Sequence, residues 1–105
     1  MQHERLKPGT HLRKNTKQIL AMLRASAQRA GLACEFEQPS SSKARAELLP
    51  AGGGAVRGVV DVTFTTDGVE LALSGAGGDR KALALYTDTT WMMEEYEAFI
   101  AGAAQ

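Results

Sequence analysis

The strongest candidate for covalent chemistry in this chain is Cys34, its only cysteine. A working thiolate needs a base such as histidine within hydrogen-bond reach and surroundings that lower the thiol pKa. The two histidines are His3 and His11. His11 stands at the far end of a helical stretch of roughly 20 residues from Cys34, a separation of about 30 Å at 1.5 Å per residue. Cys34 therefore reads as a small core residue, no catalytic residue is assigned, and the chain is expected not to be an enzyme. One cysteine and two scattered histidines have no zinc-ligand spacing, so no metal site is assigned. Gly52-Gly53-Gly54 and Gly75-Ala76-Gly77-Gly78 could suggest a phosphate loop. A phosphate cradle runs directly into a helix N-terminus with a lysine and a hydroxyl at fixed offsets, whereas both of these loops run into strand-like sequence. They read as flexible turns, and no cofactor is expected.

Charge is the next pattern that could bind a partner. Residues 1–50 hold nine Lys/Arg against four Asp/Glu and residues 51–105 hold three against eight. A formally neutral chain is thus about +5 in one half and −5 in the other. Arg13, Lys17 and Arg24 fall within about 40° on a helical wheel, with Lys14 close by, and these four form a candidate phosphate- or nucleic-acid-binding set. Glu94, Glu95 and Glu97 in a closing helix give the other reading, in which a basic and an acidic helix neutralise one another or meet between subunits.

These side chains need elements to carry them. Residues 1–9 read as a polar lead-in ended by Pro8-Gly9, and residues 10–105 as a single α+β domain. Leu12, Thr16, Ile19, Leu20, Leu23, Ala27 and Ala30 recur at helical spacing, and Gly31 is a natural stop. Leu32, Cys34 and Phe36 alternate with Ala33, Glu35 and Glu37 as a strand does. Residues 38–43 read as loop, and the role of residues 38–55 stays open, a mobile binding loop being one option. Residues 44–49 fit either a helical turn or a short edge strand. Residues 56–74 hold two alternating runs about Asp67-Gly68, a pair suited to the positive φ of a tight hairpin turn. A two-residue loop there sets Phe64 opposite Leu71 and Val62 opposite Leu73. Residues 81–87 supply a further strand. Thr90 is placed to cap a last helix whose apolar side is Met92, Met93, Tyr96, Phe99 and Ile100. The expected order is α-β-(short element)-β-β-β-α, an antiparallel sheet with two helices on one face.

An α-β-β-β-α order resembles that of double-stranded-RNA-binding domains and of the small Alu-RNA-binding subunits of the signal recognition particle. In the former a lysine cluster at the start of the last helix contacts phosphate. The corresponding stretch here is Asp88-Thr89-Thr90-Trp91-Met92-Met93-Glu94-Glu95, which carries acid in its place. The leading expectation is instead a non-catalytic protein-interaction module, self-associating as a homodimer through the far face of its sheet. That face is expected to hold Val59, Asp61, Thr63, Glu70, Ala72, Ala82, Ala84 and Tyr86. With Trp91 and Met92 beside it, the candidate protein-binding set is Val59, Ala72, Ala84, Tyr86, Trp91 and Met92. At 105 residues, 44% hydrophobic and 23% charged, the chain has the composition of a folding domain. It contains no apolar run approaching a membrane span, and its lone cysteine and lack of a signal-like apolar stretch favour the cytoplasm.

Overall fold

Thr16, Ile19, Leu23 and Ala27 are all buried along one side of the first helix, α1 (Pro8–Arg29), in a computed structural model of the chain. The structure describes the backbone of residues 8–75 and 78–105 and the side chains from residue 15 onward. The helix takes Pro8 and Gly9 out of the expected lead-in, since proline, with its fixed φ and missing N–H, suits a first helical turn. It ends where the Ala30 and Gly31 N–H groups bond back to Ala27 and Gln28, with Gly31 at φ 84°.

Five strands follow: β1 (Leu32–Ser40), β2 (Lys43–Pro50), β3 (Gly58–Phe64), β4 (Gly68–Gly75) and β5 (Arg80–Leu85). They form one antiparallel sheet in the order of the sequence. The last helix, α2 (Thr90–Ala103), buries Met92, Tyr96, Phe99, Ile100 and Ala103. Both helices lie on one sheet face, α1 against β1 and α2 against β5 and β4, and they touch one another. No described helix is long and apolar enough to cross a membrane.

The open segment, residues 38–55, proves to be mostly sheet. Residues 38–40 end β1, Ser41 and Ser42 turn the chain, and residues 43–50 are β2, an interior strand between β1 and β3. Its buried positions are Ala44, Ala46 and Leu48, alternating with exposed Lys43, Arg45 and Glu47. The β3–β4 hairpin lies two residues out of the expected register, with Phe64 opposite Val69 and Val62 opposite Leu71. A two-residue slip keeps every side chain on its own face, so the apolar face of Val60, Val62, Phe64, Val69, Leu71 and Leu73 survives intact. Asp67 and Gly68 do not adopt positive φ. The turn is held by the Thr65 hydroxyl, which donates to the Gly68 carbonyl at 3.0 Å and accepts from the Gly68 N–H at 3.1 Å. Thr90 does not cap α2 but is its first residue. The Asp88 carboxylate takes the capping role, accepting the Thr90 N–H at 3.1 Å, and that bond holds its pKa below the usual range.

Two glycines are required by close approach. A Cβ on Gly68 would stand 2.0 Å from the Ala84 carbonyl oxygen, and one on Gly58 would stand 2.9 Å from the Phe99 ring. Gly58→Ala is expected to destabilise by about 1–3 kcal/mol as an overpacked core does, with part recovered by Phe99→Leu, and Gly68→Ala by more because backbone must move. Gly52→Ala, which meets nothing within 4 Å, is the neutral control. Urea melts of the four variants check the ranking.

Candidate functional site

The six residues expected to bind protein do not share a face. Val59 and Ala72 lie half-buried on the open sheet face, and Trp91 is exposed on α2. Met92 is fully buried in the core, and Ala84 and Tyr86 sit on the helix side, packed against it. The phase of β5 is therefore the reverse of the expected one. Ala82, paired with Leu71, faces the core and is fully buried, whereas Leu83 and Leu85 point to the open face. Both alternating sets of β5 are apolar, and the packing of α2 decides between them. A helix lying directly over β5 fits above alanine, and the leucines take the other side.

The result is an apolar rim along one sheet edge. Leu83 is 60% exposed, Leu85 59% and Trp91 51%. In an antiparallel ladder both backbone groups of a residue point toward the same neighbour, and successive residues alternate. The Tyr86 N–H donates to the Asp67 carbonyl, so Tyr86, Ala84 and Ala82 face β4 while Lys81, Leu83 and Leu85 turn their N–H and C=O outward. The Leu85 carbonyl is taken by the Asp88 N–H at 3.0 Å. Lys81 and Leu83 form no backbone bond beyond the sheet among the described residues. Tyr86 is engaged in structure: its hydroxyl donates to the Thr65 carbonyl at 2.7 Å and ties the β3–β4 turn to the end of β5. Arg80 reaches Glu95 at 3.2 Å, which fixes the flank of α2 that overhangs this edge. Trp91 lies one helical turn from Glu95 on that flank.

The opposite edge is sheltered over its first part, residues 32–34, and exposed over residues 37–40. By the same parity Leu32 and Cys34 turn their backbone groups away from β2, since Ala51 donates to Gly31, yet these residues are only 3% and 0% exposed beneath α1. Lys17 and Arg24 are exposed, on the flank of α1 away from the side where Ser26, Arg29 and Ala30 meet Glu97, Ile100 and Ala101 of α2. The side chains of Arg13 and Lys14 lie outside the described residues. Basic and acidic helices thus touch, but the described part of the basic flank faces away from the acidic helix. The open sheet face carries a crosswise row of Glu37, Arg45, Asp61, Ala72 and Lys81, with Arg45 and Asp61 at 3.7 Å. A shallow depression of about 350 Å³ near β1 is lined by Ala33, Glu35, Glu37, Arg45, Glu47 and Leu49. This mixture of charges is what a solvated face needs.

Cys34 lies in the core against the phenol of Tyr96, and burial pushes its pKa up, the reverse of what a nucleophile requires. Tyr96 donates to the Leu23 carbonyl at 2.8 Å, and burial raises its pKa far above the usual phenol range. Burial, followed by the charge of Asp67, also raises Tyr86. The described residues contain no group of three or more His, Cys, Asp or Glu positioned to hold a metal ion. A glycine-rich stretch leads into β3 rather than into a helix, as does the one before β5, of which residues 76 and 77 lie outside the described residues.

All three raised groups act in the same direction on stability. A folded pKa above the unfolded one contributes stability that is fully present below the unfolded pKa and is lost as pH rises through it toward the folded value. Unfolding free energy should hold near neutrality and fall above the ordinary thiol and phenol ranges, about 8.5 and 10. Tyr96→Phe should flatten the phenol part of that fall while lowering neutral stability by about 1 kcal/mol. Denaturant melts against pH read both effects, and Cys34 should label no faster than the native state opens. No protein-family model, curated protein or solved structure matches the chain.

Proposed function

We propose that this chain is a non-catalytic protein-interaction module of the cytoplasm whose contact surface is the β5 rim, not the sheet face. The observation that carries the reading is the concentration of exposed apolar bulk there. Leu83, Leu85 and Trp91 flank a single open edge strand, and the one other exposed large apolar residue among those described is Val56, in a loop. Aromatic and aliphatic side chains beside unpaired strand backbone are the ingredients of strand addition by another polypeptide, with the backbone giving affinity and the side chains selectivity. In cells, a photo-crosslinking amino acid in place of Leu83 or Trp91 should capture a polypeptide, and one in place of Thr63, in the middle of the open face, should not. Equal capture at all three positions, or none, removes the reading.

The exposed Lys17 and Arg24 support a second, nucleic-acid reading. Two phosphate contacts imply a log–log salt slope of about −1.8 on duplex DNA. Duplex DNA or RNA that fails to bind at low salt, or binding unchanged by Lys17→Ala with Arg24→Ala, removes it.

A further inference from the structure

We propose that the polypeptide docking at the β5 rim is a second copy of this chain, joined through its own β5 in an antiparallel pair about a two-fold axis near Ala82. This rests on the reading of β5 as an interaction edge and adds the partner and the register. Three observations carry it.

The first is the supply of backbone groups. The Leu85 carbonyl is occupied by the turn at Asp88, which leaves the Leu85 N–H and, as complete donor–acceptor pairs, the N–H and C=O of Lys81 and of Leu83. In an antiparallel self-pair with Lys81 opposite the second copy's Leu83, and the reverse, these four groups on each copy satisfy the four on the other. The register centred on Leu83 would instead need Leu85, whose carbonyl is taken, and one centred on Lys81 would set the two lysines directly opposite one another. The edge is therefore self-complementary in one register, and the joined sheets make ten continuous strands.

The second is the placement of apolar bulk. On the open face each Leu83 lies beside the other copy's Lys81, with its aliphatic stem, and the two leucines are diagonal neighbours across the axis. In the helical layer, Glu95 marks the level of Arg80 through their ion pair, and α2 runs back along β5. One helical turn from Glu95, about 5.4 Å or roughly two strand residues, brings Trp91 level with Ala82. The two-fold axis passes there, so the tryptophans of both copies meet across it. An isologous contact covers the same patch on both partners, and this rim has no other exposed apolar edge on the described chain to match it.

The third is charge. Glu70 pairs with Leu83 across β4 and β5 on the open face. In the proposed register the second copy's Lys81 falls next in the same row, so Glu70, Leu83 and that lysine lie side by side, and the arrangement occurs twice. Closing the interface makes the two Lys81 diagonal neighbours across the axis, and each also has its own Glu70 on a diagonal, so opposite charge surrounds the lysines on the open face while Arg80 stays paired with Glu95 in the helical layer.

Sedimentation velocity of the purified chain over a range of concentration tests the proposal. A dimer that grows no larger is expected, since a closed two-fold contact leaves no free edge of the same kind. Leu83→Ser with Leu85→Ser alters exposed side chains and should leave a folded monomer. Lys81→Pro removes an outward N–H that the fold itself leaves unused, a change an edge strand tolerates, and should weaken dimerisation by more than about tenfold while the chain stays folded. A chain that stays monomeric at high micromolar concentration overturns the proposal, as does a dimer indifferent to the serine pair or to Lys81→Pro. The broader reading fails separately. If the crosslinker at Leu83 captures a different protein while the purified chain is monomeric, the rim is an interface and the second copy is not its partner; if it captures nothing, both fall.

Discussion

The buried phenol of Tyr96 is a polar group that three separate elements share. It stands on α2, donates its proton to the Leu23 carbonyl of α1, and lies against the thiol of Cys34 on β1. The two helices each meet the sheet mainly near its edges, α1 at β1 and α2 at β5 and β4. Between them the central strands are roofed by side chains, Tyr96 and Phe99 from α2 and Leu23 from α1, all buried in one cluster. A hydroxyl in that position must find a partner, because an unpaired one in an apolar interior costs about 1–3 kcal/mol. Leu23 supplies the second lone pair of a carbonyl within a helix. The spacing of the helices is thus set by a hydrogen bond as well as by packing, and it fixes which parts of the sheet are covered.

Small residues under the helices follow from that spacing. Ala44, Ala46, Gly58 and Ala82 are the low points of the covered face, and Gly58 admits the Phe99 ring so closely that a single methyl would collide. Where α2 lies over β5 the strand can offer only alanine beneath it, and its leucines project to the far side. The exposed rim is in this sense a consequence of helix packing. What makes it a candidate interface is that nothing else in the described fold covers it and that its exposed side chains are large and apolar, whereas the other edge is closed under α1 at Leu32 and Cys34 and polar where it is exposed, at residues 37–40.

The helix periods, the alternation of β1, β3 and β4 and the α+β class were legible in the sequence because each rests on large side chains at regular intervals. The parts that were not legible share a physical cause, ambiguity under a symmetry of the pattern. A strand pattern has period two, so a two-residue slip at the β3–β4 turn leaves the faces unchanged, and only the Thr65–Gly68 bonds and the approach of Gly68 to Ala84 decide the register. In β2 two of the three buried positions are alanines, which favour helix by propensity, and pairing with neighbours on both sides makes the segment a strand. In β5 both faces are apolar, so the phase waits on the helix above. That phase error moved Ala84 and Tyr86 to the wrong side, hid Leu83 and Leu85 from the candidate set, and left Trp91 as the one rim residue found in advance.

A meander places strands in space in the order of the chain, so the sorting of charge along the sequence becomes a sorting across the molecule. The basic half builds α1, β1 and β2 at one end and the acidic half builds α2 at the other. Contact between the helices offsets only part of this, bringing Arg29 beside Glu97, because Lys17 and Arg24 lie on the far flank of α1 and Glu95 is paired with Arg80 of β5. The neutral chain is left with a dipole directed across the strands, from the β1 side to the β5 side. A two-fold contact at the β5 end sets two such dipoles head to head, with acidic helices flanking the axis and basic flanks at the outer ends. Coulomb repulsion between the acidic helices then opposes the contact, and it is screened as salt rises, while the apolar and backbone contributions are little affected. In the proposed pair charge sorting therefore acts as a brake on association, against which Trp91, Leu83 and the four backbone bonds of the rim would have to hold.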